Sequence, residues 1–245
     1  MNKQELLKRL KAFGFSKQIL DAFSKVKRED FVPKEELENQ VYEDTPLPIG
    51  HGQTISQPYT IAVMLSEIEL KKQQKVLEIG SGSGYVLALI SEIIKEKGKV
   101  FGIEIISELV AKSKEALALG DYKNVKVYNR NGSGGLPEKA PFDRILISAA
   151  CREIPKKLLN QLKDGGILLT PRGPRFGQTL VVVQRKKDKF ETIREIPGFI
   201  FVPFVEDSEK EQNTTYYRTK NKKIKKKNKI KLKINNNFRR ILQLF

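Results

Sequence analysis

Tryptophan is absent from this chain, and histidine and cysteine occur once each, as His51 and Cys151. A single cysteine excludes an intrachain disulfide and a cysteine-based metal site. It leaves a cytoplasmic location as the expectation. No apolar run approaches the roughly 20 residues that cross a bilayer, so no membrane partner is expected. Residues 1–13 alternate Lys and Leu at helical spacing and lack the apolar core of a signal peptide. Acid is missing from the C-terminal end: residues 212–245 hold 12 of the 46 Lys and Arg and none of the 29 Asp and Glu. The formal net charge of +17 is therefore concentrated there, and the rest carries 34 basic against 29 acidic residues, only mildly basic.

What is present fits one globular domain. The 245 residues, 39% hydrophobic and 31% charged, are enough to bury a full core. Residues 4–13 and 16–26 read as short helices broken by Gly14. Residues 41–57, with Pro46, Pro48, Gly50 and Gly52, read as an irregular binding loop. A helix is predicted over 56–70, with Ser56 as N-cap and Pro58 in the first turn. Strands at 75–79, 99–104, 125–129, 144–148 and 166–170 then alternate with helices at 84–95, 107–119 and 155–162. This spacing predicts an α/β fold with a doubly wound, mostly parallel sheet behind an N-terminal helical segment. Segments 179–185 and 190–195 read as a closing antiparallel pair. The predicted division is a domain over 1–205, with its N-terminal helices in 1–70, and a basic, disordered tail over 206–245.

The most informative stretch is Val76-Leu77-Glu78-Ile79-Gly80-Ser81-Gly82-Ser83-Gly84-Tyr85. An apolar strand runs into alternating glycines and then a helix, the order that lets bare backbone approach a nucleotide-sized ligand. Gly80 is expected to make the turn, Gly82 to admit the ligand, and Gly84 to let helix and strand pack. The next strand ends in Glu104, 20 positions after Gly84, where a carboxylate can accept both ribose hydroxyls. No Gly-Lys-Ser/Thr follows the glycines, which excludes a P-loop, and the spacing is not the Gly-x-Gly-x-x-Gly usual for dinucleotides. Glu78, two places before the first glycine, would repel a pyrophosphate and attract a cation. Those features favour S-adenosylmethionine, which carries an ammonium and a sulfonium but no phosphate, over a dinucleotide.

Beyond the glycine turn stand Glu29-Asp30-Phe31-Val32-Pro33 and Pro46-Leu47-Pro48-Ile49-Gly50-His51-Gly52-Gln53-Thr54-Ile55-Ser56-Gln57-Pro58. The first resembles the early segment, and the second the most distinctive signature, of the protein-L-isoaspartate O-methyltransferase family. Ala140-Pro141-Phe142-Asp143-Arg144-Ile145, Gln161-Leu162-Lys163-Asp164-Gly165-Gly166, Pro171-Arg172-Gly173 and Phe201-Val202-Pro203 resemble later segments. The likeness spans roughly residues 6–205. It departs at Arg130-Asn131-Gly132, where the family carries Gly-Asp-Gly: Asn131 can accept a hydrogen bond from an adenine amino group but brings no negative charge.

The resemblance implies a Rossmann-like methyltransferase that moves a methyl group from S-adenosylmethionine to the free carboxylate of L-isoaspartyl residues in damaged proteins and peptides. The methyl ester then collapses to a succinimide without the enzyme, and hydrolysis regenerates some normal aspartate. It implies cofactor contacts at Glu78, Gly80, Ser81, Gly82, Ser83, Gly84, Glu104, Asn131 and Gly132. Ser56 falls at the family's catalytic position, orienting the substrate carboxylate, with a helix cap as the plainer alternative or an added role. Thr54, Ile55 and His51 fall on the substrate side, with His51 expected to pack within the loop. A carboxylate is already ionised near neutral pH, so the lack of a Ser/His/Asp triad is no objection. Asn/Asp-Pro-Pro-aromatic and Pro-Cys motifs, expected for amine and cytosine methylation, are absent; the fourth strand ends in Ser148-Ala149-Ala150-Cys151. The tail's lysines could neutralise phosphates. An RNA- or ribosome-associated protein on a methyltransferase scaffold is thus the alternative to a repair enzyme acting as a monomer.

Overall fold

The computed structural model describes residues 1–34, 41–174 and 177–205. The chain divides into two units, Met1–Phe204 and Val205–Phe245, and the first holds every element named below. The tail predicted over 206–245 lies outside the described residues.

Helix α1 (Lys3–Ala12) opens with a capping box. The Asn2 side chain accepts the Glu5 N–H, and the Glu5 carboxylate accepts the Asn2 N–H. Helix α2 (Lys17–Lys25) buries Ile19, Ala22 and Phe23, and a 3-10 turn follows at Arg28–Phe31. Strands β1 (Leu47–Gly50) and β2 (Gln53–Ile55) then pair as a small antiparallel hairpin. The predicted irregular loop is thus partly ordered into strands. Leu47, Ile49 and Ile55 bury themselves, and the tight turn between the strands uses left-handed backbone at Gly50, His51 and Gly52. Helix α3 (Pro58–Glu67) follows with Pro58 in its first turn.

The seven-stranded sheet comprises β3 (Lys75–Ile79), β4 (Lys99–Glu104), β5 (Val125–Asn129), β6 (Phe142–Ile147), β7 (Leu162–Arg172), β8 (Gln178–Lys186) and β9 (Lys189–Phe199), in the order β5-β4-β3-β6-β7-β8-β9. Pairings from β5 to β7 are parallel, and β7-β8 and β8-β9 are antiparallel. Helices α4 (Tyr85–Ile94) and α5 (Ser107–Leu119) make the first two crossovers. The chain builds outward from β3 to β5 and then returns to the other side of β3 with β6. Strand order therefore reverses between β3 and β6, and open α/β sheets take their ligands beyond the carboxyl ends of the strands at such a reversal.

Strand alternation sorts the core onto two faces. Val76, Val100 and Leu146 pack with the N-terminal helices, α3, α4 and α5, whereas Leu77, Ile79, Phe101, Ile145 and Ile147 pack on the opposite face. Helix α4 buries eight of its ten residues, which accounts for its apolar character all round.

Several predicted boundaries moved. The helix predicted over 155–162 is only α6 (Lys156–Leu159), because Gln161 turns to bind the Leu136 N–H and the Gly134 carbonyl, and Leu162 opens β7. Strand β6 starts at Phe142, which pairs with Leu162. Strand β9 runs on through Pro197 to Phe199, a place where proline is tolerated because β9 is an edge.

Candidate functional site

All three turn glycines adopt left-handed backbone, with φ of 76° at Gly80, 52° at Gly82 and 88° at Gly84. Side chains rarely tolerate that region. The Gly80 and Ser81 N–H groups both donate to the Ile103 carbonyl, at 2.8 and 3.1 Å, tying the turn to the end of β4. A Cβ on Gly84 would stand 3.1 Å from the Ser113 Cβ and 3.4 Å from Leu117 Cδ1. Gly84 therefore admits the neighbouring helix α5, rather than the strand that was expected. A Cβ on Gly82 would stand 3.1 Å from Ile49 Cδ1, so the β1–β2 hairpin rests directly on the turn. Ser83 is buried beside it.

Two carboxylates flank the turn. Glu104, 6% exposed, accepts the Gly82 N–H on Oε2 and the Ile106 N–H on Oε1, both at 2.9 Å. A carboxylate offers about four acceptor positions, so both oxygens retain capacity for ribose hydroxyls. Asn129 donates to the Glu104 and Ile105 carbonyls and braces the exit from β4, and Ile105 beside it is an exposed apolar side chain. Glu78 is fully buried at the end of β3. Its Oε1 accepts the Ser148 hydroxyl at 2.7 Å, and its Oε2 has no partner. Burial pushes its carboxyl up to about 8; the Glu104 charge adds to the rise and the Ser148 hydrogen bond opposes it. The Ser81 hydroxyl is likewise buried without a partner. Unpaired buried polar atoms are costly. An orphaned acidic oxygen and an orphaned hydroxyl at the end of β3 fit a ligand with a cationic amino group.

Asn131 Oδ1 accepts the Ser133 N–H at 2.8 Å, so one lone pair of the amide oxygen expected to meet adenine serves the local turn. Gly132 has a packing reason: a Cβ there would fall 2.2 Å from Ile79 Cγ2.

On the hairpin, Ile55 is buried, Thr54 is exposed and Ser56 is half-buried. Ser56 is not the cap of α3. Gln57 occupies that position without a side-chain bond, and Asp44 Oδ1 accepts the Tyr59 N–H at 2.8 Å instead. The Ser56 hydroxyl is thereby left out of the helix end. His51 does not pack within the loop as expected; it is exposed at the hairpin turn. The Glu108 carboxyl is held below its ordinary value chiefly by its own N–H and the Ser107 hydroxyl. The expected site residues therefore fall into three groups: the glycine turn with its carboxylates, the loop of Asn131 and Gly132 that meets β3 at Ile79, and the hairpin with Ser56, which meets the turn where Ile49 faces Gly82.

Sequence reasoning missed Asp44, Ser148 and Arg28. The Arg28 side chain is wholly buried, donates from Nη2 to the Ser56 carbonyl at 3.1 Å, and stands 5.2 Å from the centre of the Tyr85 ring. Arg28 directly precedes the segment Glu29 to Pro33, but nothing in its residue type marks it as interior.

A sheet that reverses beside a Gly-x-Gly-x-Gly turn, with a carboxylate on each flanking strand, places the chain among the Rossmann-like methyltransferases. More narrowly, the chain belongs to the protein-L-isoaspartate(D-aspartate) O-methyltransferase (PCMT) family, whose sequence model matches residues 1–209. It is 42% identical over 207 residues to the protein-L-isoaspartate O-methyltransferase of Ignicoccus hospitalis, a match covering 84% of this chain and 98% of that protein. It is 43% identical over 189 residues to the Myxococcus xanthus protein of the same name, covering 77% and 87%. Among solved structures, a protein-L-isoaspartate O-methyltransferase superposes with a TM-score of 0.77 at 29% identity, covering 84% of this chain and 67% of that one. A Plasmodium falciparum structure assigned to the same enzymes, in complex with S-adenosyl-L-homocysteine, gives 0.72 at 26% identity, covering 84% and 99%.

Proposed function

We propose that the protein methylates the free carboxylate of L-isoaspartyl residues in damaged proteins and peptides, using S-adenosylmethionine. The observation that carries this reading is the hairpin. Its Ser56, with a hydroxyl not committed to the helix cap, belongs to an element that packs on the cofactor turn through Ile49 and Gly82. When bound, S-adenosylmethionine supplies a methyl group on a cationic sulfur, and an ionised carboxylate can receive it with no proton transfer. The fit lies in this chain's own residues. Glu78, with its orphaned oxygen, and Ser81 take the amino-acid end. The left-handed turn at Gly80, Gly82 and Gly84 keeps side chains out of the way, with Ser83 beside it, and Glu104 takes the ribose. Asn131 and Ile105 border the adenine, and Gly132 lets that loop close on Ile79.

Ser56 holds the substrate carboxylate through its hydroxyl, while Thr54, Ile55 and His51 border the peptide. Because no general base is required, the protein's work is orientation, and misplacement by about 1 Å can cost roughly a hundredfold in rate. Incubating the full chain with labelled S-adenosylmethionine and an isoaspartyl peptide is expected to give a base-labile methyl ester. Ser56→Ala is expected to lower kcat by roughly 10–100-fold with cofactor affinity unchanged. A Ser56→Ala enzyme as fast as the wild type would remove Ser56 from this role.

A further inference from the structure

Arg28 is a buried cation with an unusual set of neighbours. It is wholly inaccessible, and its Nε and Nη1 have no hydrogen-bond partner. Adjacent Glu29 is engaged by the Tyr42 hydroxyl, and no carboxylate among the described residues forms an ion pair with Arg28. Desolvation accordingly lowers its pKa, and Tyr85 and Asp44 only partly oppose that. A guanidinium held this way gains little stability, since an unpaired buried charge is costly and an apolar side chain of similar volume often serves as well or better.

What Arg28 does gain is a position. Nη2 holds the carbonyl of Ser56, the last residue before the cap of α3. The same guanidinium faces the ring of Tyr85, the first residue of α4 and the one directly after Gly84. Tyr85 is itself buried, with a ring packed edge-on against Phe23 and Phe31. Asp44, which caps α3 through the Tyr59 N–H, lies close enough for its charge to act on Arg28. One side chain thus links the hairpin exit to the start of the helix that follows the cofactor turn.

We propose that Arg28 is a positioning residue, whose buried guanidinium fixes Ser56 relative to the glycine turn and so sets the alignment of substrate carboxylate and methyl donor. This rests on the reading of Ser56 given above. The unpartnered Nε and Nη1 are the cost of placing this rigid fork in the interior. The arrangement matches the general pattern in which local rules are broken at functional sites.

The test uses the full chain with Arg28→Met, Arg28→Lys, Ser56→Ala and the Arg28→Met/Ser56→Ala pair. It reads kcat and KM for an isoaspartyl peptide, S-adenosylhomocysteine affinity by calorimetry, and melting temperature. For Arg28→Met, a melting temperature equal to or above the wild type is expected. KM and cofactor affinity should stay within about threefold while kcat falls at least about tenfold. Arg28→Lys, which keeps the charge on a single donor nitrogen but not the planar fork, should fall between. The double variant should be no more than about threefold slower than Ser56→Ala alone, because both changes remove one alignment. A kcat for Arg28→Met within about threefold of wild type, or losses that multiply in the double variant, would overturn the proposal. Should Arg28→Met not fold, Arg28→Lys decides. A kcat lowered about fivefold at unchanged KM supports the proposal, and a kcat within about twofold overturns it. If Ser56→Ala alone keeps full activity, the reading of Ser56 fails and takes this one with it. A slow Ser56→Ala beside a fast Arg28→Met fails only the role of Arg28.

Discussion

At the scale of single residues, the proposed role of Glu78 carries a pH dependence. Its folded carboxyl titrates at about 8 because burial disfavours the charge, whereas a glutamate in an unfolded chain titrates near ~4.3. Between those values the folded chain holds a proton that the unfolded chain has lost. The stability from this group is therefore fully present below the lower value, and it is lost as pH rises through 8. A cationic amino group needs the ionised form, so binding it below pH 8 must expel the proton. Calorimetry with S-adenosylhomocysteine is thus expected to show affinity rising with pH, by up to about tenfold per pH unit below 8, and levelling off above it. Glu78→Gln should weaken binding at high pH and flatten the profile. An unchanged slope in that variant would assign the dependence to another group. The placement of Glu78 and Glu104 beside the turn was legible from spacing alone, since both stand at the ends of apolar strands around the glycines. Arg28 was not. In a chain with 46 basic residues, nothing local marks Arg28 as one that folds into the interior.

At the scale of elements, legibility followed burial and length. Strands β3, β4 and β5 and helix α5 fall where periodicity predicted them, because their apolar runs are bounded by clear breaks. The hairpin escaped notice because β1 and β2 have four and three residues, and β1 includes Pro48 and Gly50. Its register is set by the turn and by burial of Leu47, Ile49 and Ile55, which no local pattern announces. Close approach of elements is equally silent in sequence. Gly132 lets its loop meet the end of β3, where a Cβ would fall 2.2 Å from Ile79 Cγ2. Nearby Gly134 has open space where its Cβ would go. Gly132→Ala is therefore expected to cost about 1–3 kcal/mol through overpacking. That would appear as a fall in melting temperature of roughly 2–12 °C for a chain of this size. Gly134→Ala should leave it nearly unchanged. Equal effects from the two would show that the contact at Ile79 relaxes freely.

At the scale of the whole molecule, two parts of one compact unit divide the work. The sheet's reversal between β3 and β6 puts the glycine turn at the switch point, where open α/β sheets take ligands. The N-terminal elements bring the hairpin and α3 to it, sharing one core with α4 and α5. The central claim is that this combination selects an isoaspartyl carboxylate. It is tested most directly by methyl transfer from labelled S-adenosylmethionine, catalysed by the full chain, to two peptides identical except for L-isoaspartate or L-aspartate at one position. The expected result is a kcat/KM at least ~100-fold higher for the isoaspartyl peptide, the kind of ratio that placed polar contacts can provide. Comparable labelling of both peptides, or of neither, would contradict it.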